Sequence, residues 1–172
     1  MKDNIALIGF MGAGKTTIGK ILAKYLDMKF VDTDKKIASV EKMSINEIFK
    51  THGEQYFRDL ERETILAESQ GNNTIISTGG GVIIDNENIK NLRKTSFVVY
   101  LDCDIDCIYK RIRNSKTRPL LKNAPDLYDK ITTLYNSRKL LYNISCDYSV
   151  KINEESNMYD TAQKIKEAYI RS

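Results

Sequence analysis

The chain has 172 residues, with 27 Lys or Arg against 23 Asp or Glu and a net charge of +4. That length supports one full hydrophobic core rather than two, so a single domain is expected. The mild charge is spread without a dense basic tract, which argues against nucleic acid as a partner and fits small anionic ligands. No apolar stretch approaches the roughly 20 residues of a membrane span, and residues 1–4 lead straight into a strand pattern without room for a secretory leader, so a cytoplasmic protein with no membrane partner is expected.

Residues 4–9 carry the continuous apolar run Ile5-Ala6-Leu7-Ile8, the pattern of a strand buried on both faces of a parallel sheet. Gly9-Phe10-Met11-Gly12-Ala13-Gly14-Lys15-Thr16 follows, a P-loop in its required context of strand before and helix after. Its glycines let the backbone wrap a polyphosphate, and successive N–H groups then form an anion nest. Lys15 supplies a point charge for the β- and γ-phosphates, Thr16 a hydroxyl for Mg²⁺, and the helix over 16–26 its positive dipole end. That helix shows Ile18, Ile21, Leu22 and Tyr25 at spacings of three and four, with Lys20 and Lys24 on the other side.

A short strand over 29–32 runs into Asp32-Thr33-Asp34. Carboxylates at the C-terminal end of a strand border the ligand crevice of an open α/β sheet. One of them suits Mg²⁺ through its water shell and the other suits acceptance of a hydroxyl proton; the competing reading is that Asp34 only caps a helix starting at Lys35. Ser44-Ile45-Asn46-Glu47 fits a capping box for a helix to about Lys50. A longer helix over 54–70 carries Arg58, Asp59, Glu61, Arg62 and Glu63, most of them read as a solvated face; by pattern alone Arg58 belongs there too.

A strand over 74–78 ends in Gly79-Gly80-Gly81. Three glycines in a row point to close backbone approach, with a ligand as the natural candidate, or to a loop that needs positive φ. Residues 96–102 form the fourth strand and 104–113 the helix after it. The basic segment 114–125, with Pro119 and Pro125, breaks the pattern with a loop long enough to be functional. A helix over 126–141, a fifth strand over 146–152 and an amphipathic helix over 156–170 complete an α/β, doubly wound, five-stranded parallel sheet with helices on both faces. Cys103, Cys107 and Cys146 are odd in number and lack paired zinc-site spacing, so they read as reduced thiols without a structural metal.

The set 9–16, Asp32-Thr33-Asp34, Phe57-Arg58, Gly79-Gly80-Gly81, Arg118-Pro119-Leu120-Leu121 and Arg138 closely resembles the shikimate kinase family over essentially the whole chain. The resemblance implies a P-loop kinase fold related to the nucleoside monophosphate kinases. It also implies transfer of the γ-phosphoryl of ATP to the 3-hydroxyl of shikimate, in aromatic amino acid biosynthesis. Carried over by position, it makes Asp34, Arg58, Gly80 and Arg138 the shikimate ligands. Asp34 is the group that orients or deprotonates the hydroxyl, and Lys15 and Arg118 neutralise the transferring phosphoryl. The ATP contacts fall on Gly12, Ala13, Gly14, Lys15, Thr16, Thr17, Arg111 and Arg118, with Arg111 stacked on adenine. Mg²⁺ falls to Thr16 directly and to Asp32 through water.

The same resemblance places substrate-binding helices at about 33–62 and a lid at about 114–125, and a monomer is expected. Two positions depart from the family pattern. The adenine loop at 153–157 has no proline, and Leu140 stands where a proline commonly precedes Leu-Tyr. A related kinase of gluconate or a nucleoside monophosphate is the rival enzyme. A nucleotide-dependent regulatory protein is the rival from another class; no guanine-reading Asn-Lys-x-Asp is present, and Lys15, Asp34 and Arg118 are all retained.

Overall fold

The computed structural model describes residues 2–113 and 126–172, so the segment 114–125 expected as a lid, with Arg118, lies outside the described residues. The apolar run that opens the chain is strand β1 (Asn4–Ile8), buried along its full length at the centre of the sheet. Its neighbours are β3 (Thr74–Ser77) on one side and β4 (Ser96–Cys103) on the other, with Ile5 opposite both Ile75 and Phe97. β2 (Lys29–Asp32) and β5 (Tyr148–Ile152) form the edges, giving an all-parallel sheet in the order β2-β3-β1-β4-β5. A strand covered on both faces has no polar side, which is why β1 reads as a continuous apolar run from Ile5 to Ile8 and β3 is buried at all four positions.

Helices cover both faces. Phe97 and Tyr100 are three apart on β4 and therefore point to opposite faces of the sheet. Phe97 meets Tyr169 of α8 (Met158–Arg171), while Tyr100 stacks on Tyr142 of α7 (Leu127–Ser145). Helix α1 (Lys15–Leu26) lies beside α8. The chain between β2 and β3 makes α2 (Thr33–Glu41), α3 (Ile45–Thr51) and α4 (Gly53–Ser69), which close on a small apolar cluster of their own around Ile37, Ile48 and Phe57. The capping box expected at Ser44 and Glu47 is formed.

Several boundaries differ from the sequence reading. Residues 86–95, to which no element was assigned, form α5 (Asn86–Thr95), capped by Asp85 and burying little apolar area beyond Ile89 and Leu92. Two such residues in ten give too thin a stripe to recognise. Helix α7 continues past 141 because its buried stripe runs on from Ile131, Tyr135 and Arg138 to Tyr142 and Ser145. Helix α8 starts at Met158 because Asn157 caps it, accepting from the amides of Tyr159 (2.8 Å) and Asp160 (3.4 Å). Helix α6 (Ile105–Ile112) follows β4 directly. Among the described residues no helix is long and apolar enough to cross a membrane. All three cysteines are free, and burial pushes the Cys103 thiol up to about 12.

Candidate active site

At its C-terminal end β1 passes into the phosphate loop. Gly12 (φ 81°) and Gly14 (φ 101°) adopt left-handed conformations that a Cβ would strain, and Gly14 is the N-cap of α1. The helix therefore starts with its free N–H groups facing the loop, as an anion site requires. Lys15 is buried and folds its amino group back over the loop, donating to the carbonyls of Gly9 (2.6 Å) and Phe10 (3.0 Å). The Thr16 hydroxyl donates to Asp32 Oδ2 at 2.7 Å, joining the loop to the end of β2.

Gly12, Gly14, Lys15, Thr16, Thr17, Asp32, Asp34, Gly80 and Arg111 all line one cleft of about 310 Å³. Ala13 is fully buried behind it. Met11, Thr78 and Met158 complete the walls and were not singled out from sequence, since one methionine or threonine gives no periodic signal. Met158 touches the loop from α8, its methyl 3.3 Å from where a Cβ on Gly14 would stand. Arg111 crosses the mouth and donates to the Gly12 carbonyl at 3.0 Å.

The cap of α2 is Asp32, which accepts from the Lys35 amide at 3.2 Å, and Asp34 sits in the first turn. Asp34 is thereby released from capping and faces the glycine turn at 79–81. None of those three glycines has a positive φ. Close approach is their reason: a Cβ on Gly79 would lie 2.7 Å from Asp34 Oδ1 and 2.8 Å from Glu61 Oε1, one on Gly80 would lie 3.0 Å from the Met11 nitrogen, and one on Gly81 would overlap the Arg58 guanidinium.

Arg58 and Arg138 do not line this cleft but border the glycine turn, Arg58 at Gly81 and Arg138 at Gly80. Arg58 is not part of a solvated face. Its side chain is 11% exposed and is held by Glu61 (2.8 Å) and Glu54 (2.9 Å). Arg138 is buried on α7 and donates to the Gly80 carbonyl at 3.3 Å. Glu61, placed from sequence on the solvated face of α4, is fully buried. Burial pushes its carboxyl up to about 7 against the opposing charge of Arg58, and Asp34 adds to the rise. The signal for this was the stripe Phe57, Glu61, Ile65, in which Glu61 takes a core-facing position one turn from apolar neighbours.

A sheet whose central strand ends in a phosphate cradle, with a carboxylate facing that cradle across a shared cleft and buried arginines at the glycine turn, belongs to a P-loop small-molecule kinase. Comparison with known proteins narrows the class. The sequence profile of the family described as "Shikimate kinase" matches residues 11–169. A shikimate kinase of Caldicellulosiruptor bescii is 44% identical over 86% of this chain and 84% of its own length. One from Caldanaerobacter subterraneus is 39% identical over 98% and 96% respectively. The solved structure of shikimate kinase from Acinetobacter baumannii in complex with shikimate superimposes with a TM-score of 0.95 at 33% identity, covering 99% of this chain and 94% of that one. The chain belongs to the shikimate kinase family.

Proposed function

We propose that the protein transfers the γ-phosphoryl of ATP to the 3-hydroxyl of shikimate, giving shikimate 3-phosphate and ADP for aromatic amino acid biosynthesis. The observation that carries the reading is the shared cleft: the phosphate loop and Asp34 open onto one space, with Gly80 on its wall. The likeness to a relative solved with shikimate bound supports the same acceptor.

The loop amides and Lys15 bind the β- and γ-phosphates, Lys15 exchanging its loop carbonyls for phosphate oxygens. Arg111, with Ala13 and Thr17 beside the loop, completes the nucleotide side, its guanidinium plane against adenine. Arg58 and Arg138 take the acceptor carboxylate, a planar group that guanidinium forks match. The acceptor oxygen bonds to the γ-phosphorus as the bond to the bridging oxygen of ADP breaks, and the hydroxyl proton passes to Asp34. Helices α2 to α4 form the acceptor side, their separate apolar cluster holding Arg58 and Asp34 on one rigid unit.

Mg²⁺ fits the donor set. Thr16 and Asp32 meet at 2.7 Å beside Lys15, a hydroxyl and a carboxylate of the hard-oxygen kind that this ion takes together with water and phosphate oxygens. When bound it neutralises charge on the β- and γ-phosphates. Thr16 would hold it directly and Asp32 through water. All of these groups come from one chain, which favours a monomer as the working unit; size-exclusion chromatography with light scattering tests that.

A coupled ADP-release assay with ATP and Mg²⁺ tests the reaction, comparing shikimate, gluconate, a nucleoside monophosphate mixture and no acceptor. Release with shikimate alone is the expected result. Release with another acceptor would overturn the acceptor assignment and leave the nucleotide site standing.

A further inference from the structure

We propose that Tyr142 is a positioning residue for the acceptor, its hydroxyl orienting the Gly80 peptide to which Arg138 is also bonded. This rests on the reading of Gly80 and Arg138 as acceptor ligands. Tyr142 lies one helical turn beyond Arg138 on α7, is fully buried, and donates to the Gly80 carbonyl at 2.5 Å. Arg138 donates to the same carbonyl, at 3.3 Å. A phenol has one proton to give and lone pairs to accept with. Here the proton goes to the Gly80 carbonyl, whose second lone pair takes the arginine, so one acceptor oxygen joins both donors. Burial pushes this hydroxyl well above its ordinary range, so it remains a donor at any working pH.

The surroundings leave the oxygen little freedom. The ring stacks on Tyr100, with centroids 5.0 Å apart and planes 12° from parallel. Gly80 has no side chain by which packing can hold it, and its opposite face lies against the P-loop backbone at Met11. Its carbonyl is the point at which side chains hold the turn, from Tyr142 and Arg138, and pinning that oxygen fixes the plane of the 80–81 peptide. Through Gly80 the hydroxyl sets the wall of the cleft where the acceptor meets the phosphate loop. Through the same carbonyl it bears on Arg138, which shares that acceptor.

The test compares wild type with Tyr142→Phe, Tyr100→Phe and Arg138→Ala, reading KM and Kd for shikimate and for ATP separately, together with Tm. Tyr100 is the control, because its hydroxyl is in the same buried stack but is spent on Asp102 (3.0 Å) and Tyr135 (3.3 Å). Tyr142→Phe is expected to raise KM and Kd for shikimate up to about tenfold, the upper size of a lost neutral hydrogen bond, with ATP affinity unchanged. Tyr100→Phe is expected to leave shikimate binding alone. Lowered Tm with unaltered shikimate KM in Tyr142→Phe, or equal weakening of both substrates, would show a merely structural hydroxyl and overturn the proposal. Should the Phe variant not fold, Tyr142→Leu is read in the same way. Arg138→Ala separates the two levels: if it leaves shikimate binding intact, the acceptor site itself is misassigned. If it weakens shikimate and Tyr142→Phe does not, only the role of Tyr142 fails.

Discussion

The carboxylates of Asp34 and Glu61 face one another across the α-carbon of Gly79, where a methyl group would stand 2.7 Å from one and 2.8 Å from the other. The two oxygens belong to different helices, and only a hydrogen on Gly79 lets both approach. Gly79→Ala is therefore expected to displace Asp34 from the acceptor. Overpacking of this kind costs about 1–3 kcal/mol of stability, and a misplaced catalytic group of about 1 Å costs on the order of 100-fold in kcat. ATP affinity should hold. A kcat equal to wild type in the alanine variant would show that Asp34 has room to move without consequence.

Glu61 should leave a signature in the pH dependence of stability. Its carboxyl is raised from 4.5 to about 7 by burial, against the charge of Arg58 and with Asp34 and Arg138 also facing it. Between those values the folded state binds more protons than the unfolded state, so this group's contribution is complete below about 4.5, falls as pH rises, and is gone above about 7. Glu61→Gln lacks that slope. Urea unfolding of both proteins in steps from about pH 4.5 to about pH 8 should show the wild type losing stability relative to the variant. A constant difference would mean that Glu61 is ionised throughout.

Arg58 is held by Glu61 and Glu54 at 2.8 and 2.9 Å, with its fork directed past Gly81. Arg58→Ala should raise KM for shikimate by about 10- to 100-fold, the range for a lost charge-assisted contact, and leave the Kd of ATP nearly unchanged. Calorimetric titration with each ligand separates the two. Equal weakening of both would remove Arg58 from the acceptor side. Because the variant also strands Glu61 without its main partner, it should be less stable at alkaline pH than at acid pH.

Asp32 has two partners, the Thr16 hydroxyl at 2.7 Å and the Lys35 amide at 3.2 Å. Asparagine caps a helix about as well as aspartate does. Asp32→Asn should therefore keep Tm close to wild type while raising the Mg²⁺ concentration required for half-maximal rate. A drop in Tm with an unaltered Mg²⁺ requirement would assign Asp32 to the cap alone.

Much of this was readable along the chain, for reasons that differ by residue. The P-loop announces itself because an anion nest needs glycine at fixed steps and a lysine beside them, all within eight consecutive residues. Glu47 was legible as part of a cap because its partner, Ser44, is three residues away. Glu61 was not, since a glutamate on an otherwise charged helix has the same one-dimensional pattern whether it faces water or Arg58. Asp34 stayed ambiguous between cap and site until Asp32 was seen to fill the cap.

The amino-acid sequence by itself determined the five strands, most of the helices and the phosphate loop, because periodicity, capping and nest chemistry act over a few neighbouring residues; Arg58 and Arg138 stood out only through the family resemblance. The tertiary structure decided how those parts meet. Tyr142 reaches a carbonyl 62 residues away and Arg111 one that is 99 away, and such pairings arise only when the sheet order brings β3, β1 and β4 side by side. Apolar spacing records which face of an element is buried. What that face lies against, and hence which carboxylate is desolvated and which peptide is pinned, follows from packing among elements distant in sequence.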